Sequence, residues 1–164
     1  MSQFTRLMKA LVTATMVMAL AVTVAAPAAA QTEDAVLVDE LVAIERSKLD
    51  PWYGEASTAV YVSHVAEDST YFDPWAPKKL RGAEVKEYLQ AFEGQIPHFT
   101  YEIVDPSADV RGDIVIFTYN IENSDPETGE PTGSWMVTKI LNPTDDGWEV
   151  IHTHYGLPAP PPEL

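Results

Sequence analysis

The chain has 164 residues, 46% of them hydrophobic, no cysteine, and a formal net charge of −15 at pH 7. That length supports one core and one domain; the lack of cysteine excludes disulfides and thiol chemistry; and the acidity makes nucleic acid and anionic membranes poor partners. The carboxylates are scattered rather than clustered, which suits solubility better than metal binding, so neither a metal nor a cofactor is expected.

The N-terminus reads as a secretory signal peptide. Arg6 and Lys9 precede an apolar run over 10–26, and Ala28-Ala29-Ala30 offers a small-x-small cleavage site. The run, at about 17 residues, is short for a bilayer span. Cleavage after Ala30 makes 1–30 the leader, 31–156 the domain and 157–164 a proline-rich tail, and sends the product to the periplasm or the exterior with no membrane contact afterwards. Losing Arg6 and Lys9 leaves eight basic residues against 25 acidic ones, a net charge of −17.

Within the domain, Val36, Leu37, Leu41, Val42, Ile44 and Leu49 recur at near-helical spacing, with acidic residues early and Arg46 and Lys48 late, so 34–49 is expected to be a helix ended by Asp50-Pro51. A shorter helix is expected over 57–65, followed by a β-prone segment over 69–75 halted by Pro74. After the basic turn at 78–82, Val85, Tyr88, Leu89 and Phe92 share one face of a third helix over 83–92. The rest is strand-like: 99–104, 110–121, 134–141 and 148–155, separated by Asp, Pro, Gly and Asn turns. Helices followed by an antiparallel meander indicate an α+β domain whose sheet curls over the helices.

The last strand carries the densest chemistry. Alternation puts Trp148, Val150, His152 and His154 on one side. If Leu141 and Trp148 pair across the preceding turn, Lys139 falls opposite Val150, Val137 opposite His152 and Trp135 opposite His154. One face then collects Trp135, Lys139, Trp148, His152 and His154.

The run from His64 to Pro74, the Arg81-Gly82 step that opens a helix, and the closing Trp148-Glu149-Val150-Ile151-His152-Thr153-His154 resemble the nuclear transport factor 2-like superfamily. It includes ketosteroid isomerases, SnoaL-like polyketide cyclases and the calcium/calmodulin-dependent protein kinase II association domain. The resemblance implies a cone-shaped curved antiparallel sheet packed on three N-terminal helices, enclosing a cavity. The Phe72-Asp73-Pro74 turn is similar to the isomerase turn holding the proton-abstracting carboxylate, so Asp73 takes that place. The isomerase's tyrosine and protonated aspartic acid fall near Leu49 and Lys139, which cannot replace them. The last strand is similar to that of the association domain, which continues with an arginine where this chain has Tyr155.

The expected function is therefore an exported domain holding a small apolar or amphipathic molecule in the cavity, as a homodimer formed through the outer sheet face. Trp75, Trp135, Lys139 and Trp148 would contact the ligand. One alternative is a cofactor-independent isomerase, cyclase, dehydratase or hydrolase with Asp73, His152 and His154 as the acid and base groups. Another is an association module that only oligomerises.

Overall fold

The computed structural model describes residues 28–145 and 147–158. The expected leader lies outside the described residues up to position 27, as does the proline-rich tail beyond 158. Helix α1 (Ala28–Glu55) and helix α2 (Ala59–Ser63) lead into strand β1 (Val65–Phe72), then β2 (Leu80–Arg81) and helix α3 (Ala83–Gln90). Four long strands follow: β3 (Thr100–Arg111), β4 (Ile114–Ser124), β5 (Pro131–Thr144) and β6 (Gly147–Gly156). No helix among the described residues is long and apolar enough to cross a membrane.

The six strands form one sheet in the order β2-β1-β6-β5-β4-β3. The meander β3 to β6 is antiparallel, as its turn chemistry demands, while β1 lies parallel to β6, so the sheet is mixed. Because β2 and β3 are both edges, the curved sheet stays unclosed. Its inner face and the helices share a core that includes Leu41 and Leu49 of α1, Val85 and Leu89 of α3, and Phe117, Ile121, Val137, Leu141 and Val150 of the strands.

The expected strand over 110–121 is split by the turn between β3 and β4, and β1 begins at Val65, inside the expected second helix. Three further features differ from the expectation. Helix α1 runs through Pro51 to Glu55 instead of stopping at Asp50. A proline costs the helix one hydrogen bond, but continuing it carries Trp52 and Tyr53 against the core. The helix then closes at Ala56, which takes a left-handed φ of 53°, and Ser57 N–H bonds the Pro51 carbonyl at 3.0 Å. The basic turn contains β2, paired to β1 through Thr70 with Arg81 and Tyr71 with Leu80. Gly82 follows with a φ of +59°, and an added Cβ there would meet the Glu67 carbonyl oxygen at 3.1 Å.

The third difference decides the site. Leu141 pairs with Val150, but Ile140 pairs with His152, so Ile151 is an extra residue and β6 bulges there. A one-residue slip reverses every later side chain. Beyond the bulge, Thr153 and Tyr155 stand opposite Lys139 and Val137, while His152 and His154 stand opposite Ile140 and Thr138. Lys139, Val137 and Thr153 are buried. The expected pairing of Lys139 with Val150 and of Trp135 with His154 is thereby corrected.

Candidate functional site

The space between the helices and the inner sheet face is a cavity of about 440 Å3. From α1 come Leu49, Trp52 and Tyr53; from α2 Tyr61; from α3 and the loop after it Leu89, Phe92 and Phe99. The sheet contributes Tyr71, Asn123, Gly133, Ser134, Trp135 and Tyr155, and the turn after β1 contributes Asp73 and Trp75. The aromatic rings brace each other: Trp52 lies 5.1 Å from Tyr61 and 6.1 Å from Phe92, centroid to centroid. Such edge and tilted contacts add to what their burial contributes.

Asp73 is the one charged residue among the described lining residues. Its Oδ1 accepts the Trp75 N–H at 2.8 Å, which fixes the turn. Tyr88 donates its hydroxyl to the same oxygen at 3.3 Å, and Tyr71 donates to Oδ2 at 3.2 Å. Burial followed by the Asp73 charge pushes the Tyr88 phenol up to about 12. Trp75, two-thirds exposed, stands edge-on to Trp135 with centroids 4.7 Å apart at the mouth. Asp73, Trp75 and Trp135 thus meet in one cavity.

The remaining expected site residues lie elsewhere. The bulge at Ile151 turns His152 and His154 onto the outer sheet face, where the Thr70 hydroxyl and His152 Nδ1 are 2.7 Å apart and the Phe72 ring packs 5.8 and 5.6 Å from the two imidazoles. Desolvation and the neighbouring His154 lower the His152 pKa. The grouping of both imidazoles with Asp73 is therefore not formed. Trp148 is drawn to α1, its indole N–H donating to Glu40 Oε1 at 2.8 Å, and it does not line the cavity. No cluster of three or more His, Cys, Asp or Glu that could hold a metal occurs among the described residues.

Lys139 faces inward but sits behind the cavity wall, fully buried, with Nζ 2.5 Å from Glu45 Oε1. Lys48 Nζ approaches the other oxygen, Oε2, at 2.7 Å and is also buried. Burial pushes the Glu45 carboxyl up, but the Lys139 and Lys48 charges outweigh it and hold the group at about 2. For Lys139 burial wins, lowering its ammonium to about 7 against the pull of Glu45. The Tyr61 and Tyr155 rings lie between this cluster and the cavity, 4.6 and 5.9 Å from Lys139 Nζ, and their hydroxyls are 2.7 Å apart.

Sequence reasoning missed Glu45, Lys48, Tyr61, Asn123 and Tyr155. Glu45 and Lys48 carry a visible signal: they fall at i+4 and i+7 from Leu41 and so share the buried stripe of α1 with Leu49. Tyr155 could be placed inward only by knowing of the bulge.

A family pattern described as a SnoaL-like domain matches residues 46–160. The chain belongs to the SnoaL-like domain family, within the nuclear transport factor 2-like superfamily whose fold it shares. No curated protein matches it. Among solved structures it is similar to a nuclear transport factor 2-like protein of unknown function from Pseudomonas putida, with a TM-score of 0.65 and 14% identity over 77% of this chain and 90% of that one. It is also similar to a candidate ketosteroid isomerase from Parabacteroides distasonis, with a TM-score of 0.59 and 22% identity over 73% of this chain and 86% of that one. The association domain of C. elegans CaMKII gives a TM-score of 0.59 and 17% identity over 76% of this chain and 98% of that one. At such identities the likeness is one of fold.

Proposed function

We propose that this is an exported domain that holds a small apolar or amphipathic molecule in the cavity between helices and sheet, without turning it over. The makeup of the cavity carries the reading: aromatic and aliphatic side chains wall about 440 Å3, with one carboxylate near the mouth. Apolar walls with a few placed polar groups are what small-molecule sites are made of. Export follows from the leader pattern of residues 1–30.

Homodimerisation through the outer sheet face is part of the same proposal. Ile116, Ile140, Met136 and Phe72 share that face with His152 and His154, and Met136 and Phe72 are exposed. An exposed apolar patch of this kind suits a second copy that presents the same patch across a two-fold axis.

A second reading, a cofactor-independent isomerase, cyclase, dehydratase or hydrolase, is favoured by one observation. Asp73 lies in the cavity with two tyrosine hydroxyls on it, so a carboxylate base and phenolic acids are adjacent. In that case Tyr71 or Tyr88, rather than His152, is the acid.

Gly133 supplies the test of binding. It lines the cavity opposite Asn123, and an added Cβ meets nothing within 4 Å. Gly133→Phe should fill the cavity while the fold persists. Calorimetric titration with 2-naphthylmethanol should give saturable binding to the wild type and at least tenfold weaker binding to the variant. Equal binding would place the site elsewhere, and no binding to either would remove the cavity reading for this class of ligand.

A further inference from the structure

Two ammonium groups and one carboxylate are buried together behind the cavity wall. Lys48, Lys139 and Glu45 have side-chain exposures of 2%, 0% and 1%, and Glu45 is the one carboxylate among the described buried residues. With both lysines protonated, the cluster holds a surplus positive charge where an uncompensated charge is strongly disfavoured. The rings of Tyr61 and Tyr155 offset part of it through their faces. The same two residues line the cavity, and the bond between their hydroxyls uses one of the two hydroxyl hydrogens, which leaves the other to donate.

We propose that the molecule taken up by the cavity is a carboxylate on an apolar body, its negative end bonded by the Tyr61–Tyr155 hydroxyl pair and balanced by the surplus charge of the Lys48–Glu45–Lys139 cluster behind it. This rests on the cavity being a binding site. The surface carboxylates of the chain oppose such a ligand only weakly, because solvent and salt screen them, whereas a charge in the low-dielectric interior is screened much less over a few ångströms. Asp73 is the one opposing group among the described lining residues, and three hydrogen bonds, from Tyr71, Tyr88 and the Trp75 N–H, spread its charge. Burial brings Lys139 to about 7, so the surplus fades above neutrality and a bound anion should draw a proton back onto it.

The test is calorimetric titration at pH 6 of three probes of one shape, 2-naphthoate, 2-naphthylmethanol and 2-naphthylmethylammonium. The wild type should bind the acid at least tenfold more tightly than the alcohol, with the ammonium weakest. The ratio of acid to alcohol affinity should fall at least threefold in Tyr61→Phe and in Tyr155→Phe, which keep the rings and lose the hydroxyls, and further in Lys139→Met. If Lys139→Met fails to fold, the two phenylalanine variants carry the test. Alcohol or ammonium binding as tightly as the acid overturns the proposal while leaving the cavity reading intact. An acid preference that survives both phenylalanine variants also overturns it, and failure of all three probes removes both.

Discussion

Lys139 Nζ on β5 lies 2.5 Å from Glu45 Oε1 on α1, a buried ion pair that ties the fourth strand of the sheet order to the first helix. Because Lys48 holds the second oxygen of the same carboxylate, the three groups are unequal partners. Glu45 is what makes two buried ammoniums tolerable, and either lysine alone suffices to pair it.

Replacing the carboxylate should therefore hurt more than replacing one ammonium. Glu45→Gln leaves both lysines buried and unpaired and should cost roughly 3–5 kcal/mol in urea unfolding, whereas Lys139→Met leaves the Lys48–Glu45 pair and should cost less than about half of that. Equal losses would mean that the cluster acts as a single unit in which each member is indispensable.

Acid should expose the same carboxylate. Glu45 is held at about 2 in the folded chain against 4.5 when free, so the unfolded chain binds the proton first and stability is lost as pH falls from 4.5 toward 2. The full contribution is present above pH 4.5 and amounts to roughly 3 kcal/mol at 1.36 kcal/mol per unit. Unfolding free energy measured across that window should fall more steeply in the wild type than in Glu45→Gln.

Asp73→Asn separates anchoring from repulsion. Asparagine can still accept the Trp75 N–H, so the turn should persist at a cost of about 1 kcal/mol for the weakened tyrosine bonds. Removing the negative charge from the cavity should tighten 2-naphthoate at least threefold relative to 2-naphthylmethanol. An acid that binds no more tightly to the variant, relative to the alcohol, would contradict repulsion by the Asp73 charge.

The outer sheet face makes its own prediction. Met136 is half exposed there, so Met136→Glu should fold normally, yet it sets like charges against each other across any two-fold contact. Sedimentation should give a dimer for the wild type and a monomer for the variant. A wild type that sediments as a monomer contradicts the dimer.

Much of the architecture could be read from residue pattern, because helix stripes, turn residues and strand alternation are local properties. The Asp73 turn is a local property too: Pro74 and the carboxylate encode it together. The inner face of β6 is not. Alternation alone sends His152 and His154 inward with Val150, and only the pairing of Ile140 with His152 shows that Ile151 is extra. Nothing in the composition of Val150-Ile151-His152 marks a bulge, since no glycine is needed for one of this kind. Helix α1 crosses Pro51 for a related reason: the tertiary burial of Trp52 and Tyr53 outweighs a local stop signal. Those two nonlocal choices set which aromatic side chains wall the cavity.

The four tryptophans allow the cavity claim to be read in one spectrum. Trp52, Trp75 and Trp135 line the cavity, while Trp148 is held by Glu40 away from it. Titration of 15N-labelled protein with 2-naphthoate should shift three indole N–H resonances and leave that of Trp148 in place. Movement of the Trp148 signal alone, or saturable binding that moves none of the other three, would contradict a ligand held between the helices and the sheet.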